Sequence, residues 1–444
     1  MLSRRRQDGG RSRLAGWALA AVAMAAAGPA WTTDGGAAAP ERSESRLRER
    51  VAALCGPELA GRAAGSPGAE RAASMIGEWM SAAGLEAPAG GSFFQTVPLE
   101  GEALAGRSDR NVVGVLEGQG RLRSRWVVVG AHFDHLGRTE RAPGPPAVPR
   151  EGQYYPGAND NAAGVAALLE LAHLSRGAPV APVAPGDDRR SILFVAFAAE
   201  EVGLQGSRRF VADLPVPRDS VDLMLNLDTV GRLGEGRLHV GGVGTAPGLD
   251  AHLDRAAAAG VELRPSQSGW AGSDHVPFLA AGIPALFFFT GPYPDYNRVT
   301  DTPETLDFPG LAQVTGLVAR LLQQLCTDPA PFPFREVAGL PDDREPTPAD
   351  GSRSTWFGSV PDFDAGAGGY RLAGVVAGSP AARAGLGAGD VLVRFGGEAV
   401  TDLPSFTRAL RLHRPGEMVE VEVRRDGKLM RLTVELADRA ERWR

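Results

Sequence analysis

Three runs of apolar, largely β-branched residues each end on a side chain able to bind a metal ion or move a proton. His132 follows Trp126–Gly130, within Ala131-His132-Phe133-Asp134-His135-Leu136-Gly137. The pair Glu200-Glu201 follows Ser191–Ala198, and Asp228 follows Val221–Leu227. Asp160 lies in Gly157-Ala158-Asn159-Asp160-Asn161, just ahead of a helical stretch. Taken singly, each has a plain structural explanation: a histidine after a strand is usually structural, and an aspartate before a helix usually caps it. Their conjunction at the ends of strands is another matter, because open parallel sheets place their sites at the C-terminal strand ends. Two adjacent glutamates directly after a core strand are hard to explain as solvated charge. The two cysteines, Cys55 and Cys326, form no CxxC, so any metal must be held by imidazole and carboxylate.

The elements that carry these residues read as an α/β sandwich. Strand-like runs occur at Asn111–Leu116, Trp126–Gly130, Ser191–Ala198, Val221–Leu227 and Ile283–Phe289. Helical stretches lie between them at Ala162–Leu174, Gly206–Ala212, Leu249–Ala259 and Pro309–Leu325. Continuous apolar strands alternating with helices imply a mixed, largely parallel sheet buried on both faces, hence three layers. Arg138–Gln153 and Gly177–Arg189 are Pro-rich insertions expected as surface loops. Residues 327–354 carry Asp328-Pro329-Ala330-Pro331 and Glu345-Pro346-Thr347-Pro348 and read as a linker that contributes nothing to a core. Shorter strands resume at Tyr370–Val376, Val391–Phe395, Val419–Arg424 and Met430–Leu436, with one helix near Pro404–Leu412. The expected organisation is a targeting segment at 1–30, a polar spacer at 31–45, a catalytic domain at 46–326, the linker, and a small β-rich domain at 355–437.

Composition supports a folded chain, with 43% hydrophobic and 23% charged residues. A net charge of −6 argues against nucleic-acid binding. Nearly all basic residues are arginine, Lys428 being the single lysine, so arginine runs carry little information about partners. Arg4 to Arg13 form a basic n-region ahead of apolar Leu14–Ala27 and small Gly28-Pro29-Ala30. That is the pattern of an export signal, and the expected location is periplasmic or extracellular, with the segment either cleaved or kept as an anchor. In an exported protein Cys55 and Cys326 could pair or remain as two buried thiols.

From about Leu54 to Leu325 the chain resembles the bacterial co-catalytic di-zinc aminopeptidases, which are related to glutamate carboxypeptidase, glutaminyl cyclase and the transferrin-receptor ectodomain. The resemblance lies in His132-Phe133-Asp134-His135, Gly157-Ala158-Asn159-Asp160-Asn161, Ala199-Glu200-Glu201-Val202-Gly203, Asn226-Leu227-Asp228-Thr229-Val230-Gly231, Ser273-Asp274-His275-Val276-Pro277-Phe278 and Asp301-Thr302-Pro303. It implies a zinc-exopeptidase-like sandwich, two zinc ions, and hydrolysis of N-terminal residues from peptides. His132 and Asp228 would bind one ion, Glu201 the other, and Asp160 both. Glu200 would be the general base on a metal-bound water, and Asp134 the partner that orients His132. It also implies a cis peptide at Asp160–Asn161. Such roles suit the chemistry: paired metals need a bridging carboxylate, a ligand imidazole needs its other N–H fixed, and an unligated glutamate can shuttle the proton. His135 and His275 are expected to be structural or to line the pocket, and not to ligate.

Where the family has Tyr-His before its Asp-Thr motif, this chain reads Tyr296-Asn297. Asn297 takes the place of the sixth ligand, and an amide oxygen is a weaker zinc donor than imidazole. Tyr296 is kept and could donate a hydrogen bond to a tetrahedral oxyanion. Two alternatives stand beside hydrolysis: a non-catalytic ectodomain with a degraded metal site, favoured by Asn297, and a single-zinc, cyclase-like acyltransferase. The tail resembles a bacterial-protease PDZ domain through Gly374-Val375-Val376-Ala377-Gly378-Ser379-Pro380-Ala381, Ala384-Gly385-Leu386 and Gly389-Asp390-Val391-Leu392. A C-terminal peptide would then add as a strand, its carboxylate held at Trp356-Phe357-Gly358-Ser359.

Overall fold

Four buried strands lie side by side in parallel at the centre of the larger domain, and their alternating side chains divide between two cores. In the strand that ends on His132, Val127, Val129 and Ala131 face one core and Val128 the other, as a period of two requires. The computed structural model describes residues 38–89, 91–101, 104–138, 153–177, 188–268, 272–337, 355–362, 368–376 and 378–438. The expected targeting segment at 1–30 lies outside the described residues, as do most of both insertions and the linker beyond Val337.

The sheet of the larger domain has eight strands: β1 (Phe94–Pro98), β2 (Ser108–Leu116), β3 (Trp126–His132), β4 (Ser191–Phe197), β5 (Val221–Leu227), β6 (Arg237–Gly241), β7 (Glu262–Pro265) and β8 (Ala285–Phe289), in the order β1-β2-β4-β3-β5-β8-β6-β7. Strands β4, β3, β5 and β8 run parallel to one another. The flanks are antiparallel where β1 meets β2, β2 meets β4, and β6 meets β8.

One face is covered by α1 (Ala38–Leu54), α2 (Pro67–Ala82), α3 (Ala163–Gly177), α5 (Leu249–Ala256) and α7 (Phe308–Thr327), and the other by α4 (Gln205–Ala212) and α6 (His275–Ala280). The result is a three-layer α/β sandwich with a mixed, largely parallel sheet. Pro67 and Ser66 start α2: the Ser66 hydroxyl accepts from the Ala69 N–H, and proline fits the first turn. Among the described residues no helix is long and apolar enough to cross a membrane.

Two segments differ from the sequence expectation. Helix α1 begins at Ala38, inside the stretch read as spacer. The buried Glu170 of α3 holds it there, accepting from Ser43 Oγ at 2.9 Å and Arg46 Nε at 2.8 Å. The first part of the stretch read as a coreless linker packs on the larger domain. Phe332 is 5% exposed and belongs to its core, the Arg190 guanidinium lies 5.1 Å over the Phe332 ring, and Arg190 Nη2 donates to Ala330 O at 2.8 Å. Proline prevents regular structure here but not burial of the phenylalanine between the prolines.

The small domain is a β-rich unit with its own core around Phe357, Phe395 and Phe406. Its strands are β9 (Thr355–Trp356), β10 (Ser359–Pro361), β11 (Tyr370–Val375), β12 (Val391–Phe395), β13 (Glu398–Ala399), β14 (Met418–Arg425), β15 (Lys428–Glu435) and β16 (Ala437–Asp438), with helices α8 (Pro380–Arg383) and α9 (Leu403–Arg411). All their pairings are antiparallel.

Candidate metal centre

The C-terminal ends of β3, β4 and β5 deliver His132, Glu200-Glu201 and Asp228 to one place, and the turn before α3 adds Asp160. Two groups of side chains there could each hold a metal ion: His132 with Glu200 and Asp228, and His135 with Asp160 and Glu201. They are the only such groups among the described residues, and they adjoin through Asp160. Its Oδ1 lies 3.3 Å from His132 Nε2 and its Oδ2 lies 3.9 Å from His135 Nδ1. His132 Nε2 is also 3.4 Å from Asp228 Oδ1. The arrangement brings together His132, Asp160, Glu200, Glu201 and Asp228 as read from sequence, and adds His135, whose Nδ1 is 2.8 Å from Glu201 Oε1.

Local backbone chemistry aims these groups. His132 Nδ1–H donates to the backbone oxygen of Asp134 at 3.2 Å, which turns Nε2 towards the carboxylates and makes it the atom that would bind a metal. The Asp134 carboxylate is 3.8 Å from His132 Nδ1 and does something sequence did not suggest. It accepts the backbone N–H of Glu200 at 2.9 Å and of Glu201 at 3.3 Å. The chain passes from β4 to Glu200 through Ala199 at φ 56°, and leaves Asp228 through Thr229 at φ 51°. A β-branched residue in left-handed backbone is costly and persists only where its surroundings enforce it.

The Asp160 turn is held from three sides. Asp301 accepts the N–H of Asn159 and of Asp160, both within 3.1 Å, and Tyr293 donates to Asp301 at 3.2 Å. Asn161 Nδ2 donates to Leu227 O at 2.9 Å. Asn159 Oδ1 accepts from Gly231 N at 2.7 Å. The Asp160–Asn161 peptide is cis. Gly157, at φ 59°, leaves no room for a side chain: a Cβ there would come within 2.5 Å of the His135 ring. Behind the turn, the fully buried Arg62 spends its guanidinium on four backbone oxygens, donating to Phe133 O at 2.7 Å, Pro156 O at 2.8 Å, Gly157 O at 3.1 Å and to Leu54 O. It ties the His132 loop to the Asp160 loop. On the other side Ser273 Oγ donates to Asp228 Oδ2 at 2.7 Å and accepts from Asn226 Nδ2 at 2.8 Å.

The remaining expected residues lie in the loop after β8 and around α6. Asn297 is buried at φ 58°. Tyr296 is half exposed, its ring T-shaped against Tyr293. His275 stacks on Phe287 at 4.6 Å and belongs to neither ligand group. Cys55 and Cys326 are buried free thiols, not a disulfide, and burial pushes both up to about 12.

The donor set fits divalent ions. Asp228 Oδ1, His135 Nε2 and Asn297 Oδ1 are buried without a hydrogen-bond partner. Burial and neighbouring carboxylates push the acids upward, Asp160 to about 6, Asp134 and Asp274 to about 7, and Glu200 well above its ordinary range. Burial works to lower His132, but Glu200, Asp228 and Asp160 raise it well above the usual imidazole value. So many acidic groups at one buried spot lack positive charge, and cations would supply it. Imidazole with carboxylates, and one carboxylate between two positions, is the donor chemistry of paired zinc ions.

Residues 111–322 match the model of peptidase family M28. Over that stretch the larger domain is similar to the M28 peptidases. Residues 360–436 match the PDZ domain model, so the small β-rich unit is a PDZ domain. The M28 domain is similar to Aminopeptidase YwaD of Bacillus subtilis, 30% identical over 231 residues that make up 49% of this chain and 45% of that protein. It is also similar to an aminopeptidase of Pseudomonas aeruginosa, 33% identical over 37% of this chain and 28% of that protein. The chain thus spans less than half the length of these curated relatives. In fold, it is similar to a Zn-dependent exopeptidase from Parabacteroides distasonis (TM-score 0.51, 17% identity, 63% of this chain and 97% of that one). Glutaminyl cyclase of Porphyromonas gingivalis is comparable (TM-score 0.50, 18% identity, 64% and 98%). One fold thus serves a peptidase and a cyclase, and function must be argued from the site.

Proposed function

We propose that this chain is a zinc metallopeptidase that removes N-terminal residues from peptides. The observation that carries the proposal is the Asp160 carboxylate, whose two oxygens face two imidazoles, each imidazole grouped with carboxylates from neighbouring strand ends. His132, Asp228 and Asp160 would hold one ion. Asp160 and Glu201 would hold the second, with Asn297 Oδ1 as the neutral oxygen expected from sequence. When bound, the ions polarise a scissile carbonyl and acidify water.

Glu200 is the general base. It takes a proton from the attacking water at its carboxylate and passes it to the leaving amine, so that water is added across the C–N bond. Asp134 keeps Glu200 and Glu201 in register through their backbone N–H groups. Tyr296 supplies a hydrogen bond to the tetrahedral oxyanion. The aminopeptidase names of the curated relatives support the amino-terminal preference. The PDZ domain would select substrates or partners by their C-terminal peptides, the carboxylate lying at Trp356–Ser359. The basic and then apolar residues of 1–30 support export.

Purified protein should release chromogenic aminoacyl anilides, a chelator should stop it, and zinc should restore it. Glu200→Gln should lower turnover by at least about 100-fold with its zinc content unchanged, whereas Glu201→Gln should lose zinc. Near-full activity in Glu200→Gln would remove Glu200 as the base.

A further inference from the structure

We infer that His135 supplies the imidazole of the second metal position, in place of the ligand that Asn297 cannot provide. The inference rests on the metallopeptidase reading and extends it to a residue outside the expected ligand set. His135 is buried at 1% exposure, with Nδ1 2.8 Å from Glu201 Oε1 and 3.9 Å from Asp160 Oδ2. Those are the two carboxylates assigned to that position. The arrangement is balanced about Asp160: one oxygen towards the His132 imidazole, the other towards the His135 imidazole.

The ring is placed with care. The backbone N–H of His135 donates to Arg62 O at 3.2 Å, and the Arg62 guanidinium grips the carbonyl oxygens of Phe133 and Gly157 on either side. Gly157 is the one residue type that leaves the imidazole room. Both of these neighbours of Nδ1 are acids that a shared cation would bind, which makes Nδ1 the ligand atom. Asn297 offers at best one weakly basic oxygen, so losing it should matter little if imidazole and two carboxylates are already present.

The test is zinc binding by the metal-stripped full chain, followed by calorimetry, with X-ray absorption at the zinc edge to count coordinated imidazoles. Wild type should bind two zinc ions with two imidazoles between them. Asn297→Ala should keep both ions, while His135→Ala should keep one and weaken the other by more than about 100-fold, beyond the effect of losing a mere orienting partner. His135→Gln provides a less disruptive check should the alanine variant fold poorly, and the wild-type imidazole count needs no variant at all. Two ions sharing a single imidazole, or loss of the second ion in Asn297→Ala but not in His135→Ala, would overturn this inference and leave the metallopeptidase reading standing. No zinc binding by wild type would overturn both.

Discussion

The carboxylate of Asp134 accepts the backbone N–H of Glu200 at 2.9 Å, so the proposed base is oriented by a residue 66 positions earlier in the chain. The same carboxylate accepts from Glu201, and one buried acid thereby sets the position of both neighbouring glutamates. Asp134→Asn keeps the size but leaves one acceptor oxygen for two donors. We expect turnover on an aminoacyl anilide to fall about 10- to 100-fold, the cost typical of removing an outer partner in a metal site. Circular dichroism and thermal unfolding should show the fold intact. Wild-type turnover would rule out this role.

Arg62 is a second support with a measurable cost. Its removal leaves four buried carbonyl oxygens without donors, each worth about 1–3 kcal/mol if unsatisfied. Arg62→Met should therefore lower the unfolding free energy by more than about 3 kcal/mol, read by urea denaturation. Arg62→Lys, which cannot fork to four acceptors, should recover only part of it. A loss below about 1 kcal/mol would mean that water or rearrangement satisfies these groups.

Stability in acid should report Glu170. Burial would raise its pKa, but Arg46 and Arg50 overcome that and hold it below the usual range. Because the folded pKa lies below the unfolded value, this contribution is present above about pH 4.3 and is lost as pH falls through the folded pKa. Wild type should be more stable than Glu170→Gln at neutral pH, and the gap should close in acid. Unfolding curves at several pH values check this; a gap constant down to pH of about 3 would exclude the linkage.

The C-terminal boundary of the M28 domain can be tested by truncation. A chain ending at Pro331 loses Phe332, whereas one ending at Val337 keeps it. Burying a phenylalanine contributes about 1.5–3 kcal/mol, so the shorter chain should unfold at lower denaturant by that margin. Both should process small anilides if folded. Equal stability would show that Phe332 contributes nothing.

Legibility from sequence followed burial. Val221–Leu227 and Ser191–Phe197 are buried along their whole length, so their apolar runs announce both the strands and the acids at their ends. Strands β1 and β7 were not legible, because Phe94–Pro98 and Glu262–Pro265 lie at the sheet margins, where polar residues interrupt the pattern. His135 looked like pocket lining since its neighbour Glu201 is remote in the chain. Arg62 carries no sequence signal, because nothing local tells a guanidinium that will be enclosed by four loop carbonyls from one left in water. Asp301 was legible as part of a motif, but its grip on the Asp160 turn is a property of the assembled loops.

The seat of Phe332 also shortens a leash. Chain held against the M28 domain up to Val337 leaves 17 residues before β9 begins at Thr355. Whatever path they follow, they span at most about 60 Å at full extension. Had the chain come free at the end of α7, the limit would be about 95 Å. If the PDZ domain grips a partner or substrate as proposed, that molecule would be confined to a smaller volume around the metal centre, and its local concentration would rise as that volume shrinks. On that proposal Arg190 and Phe332, neither of which touches the chemistry, would help decide how often a captured chain meets Glu200.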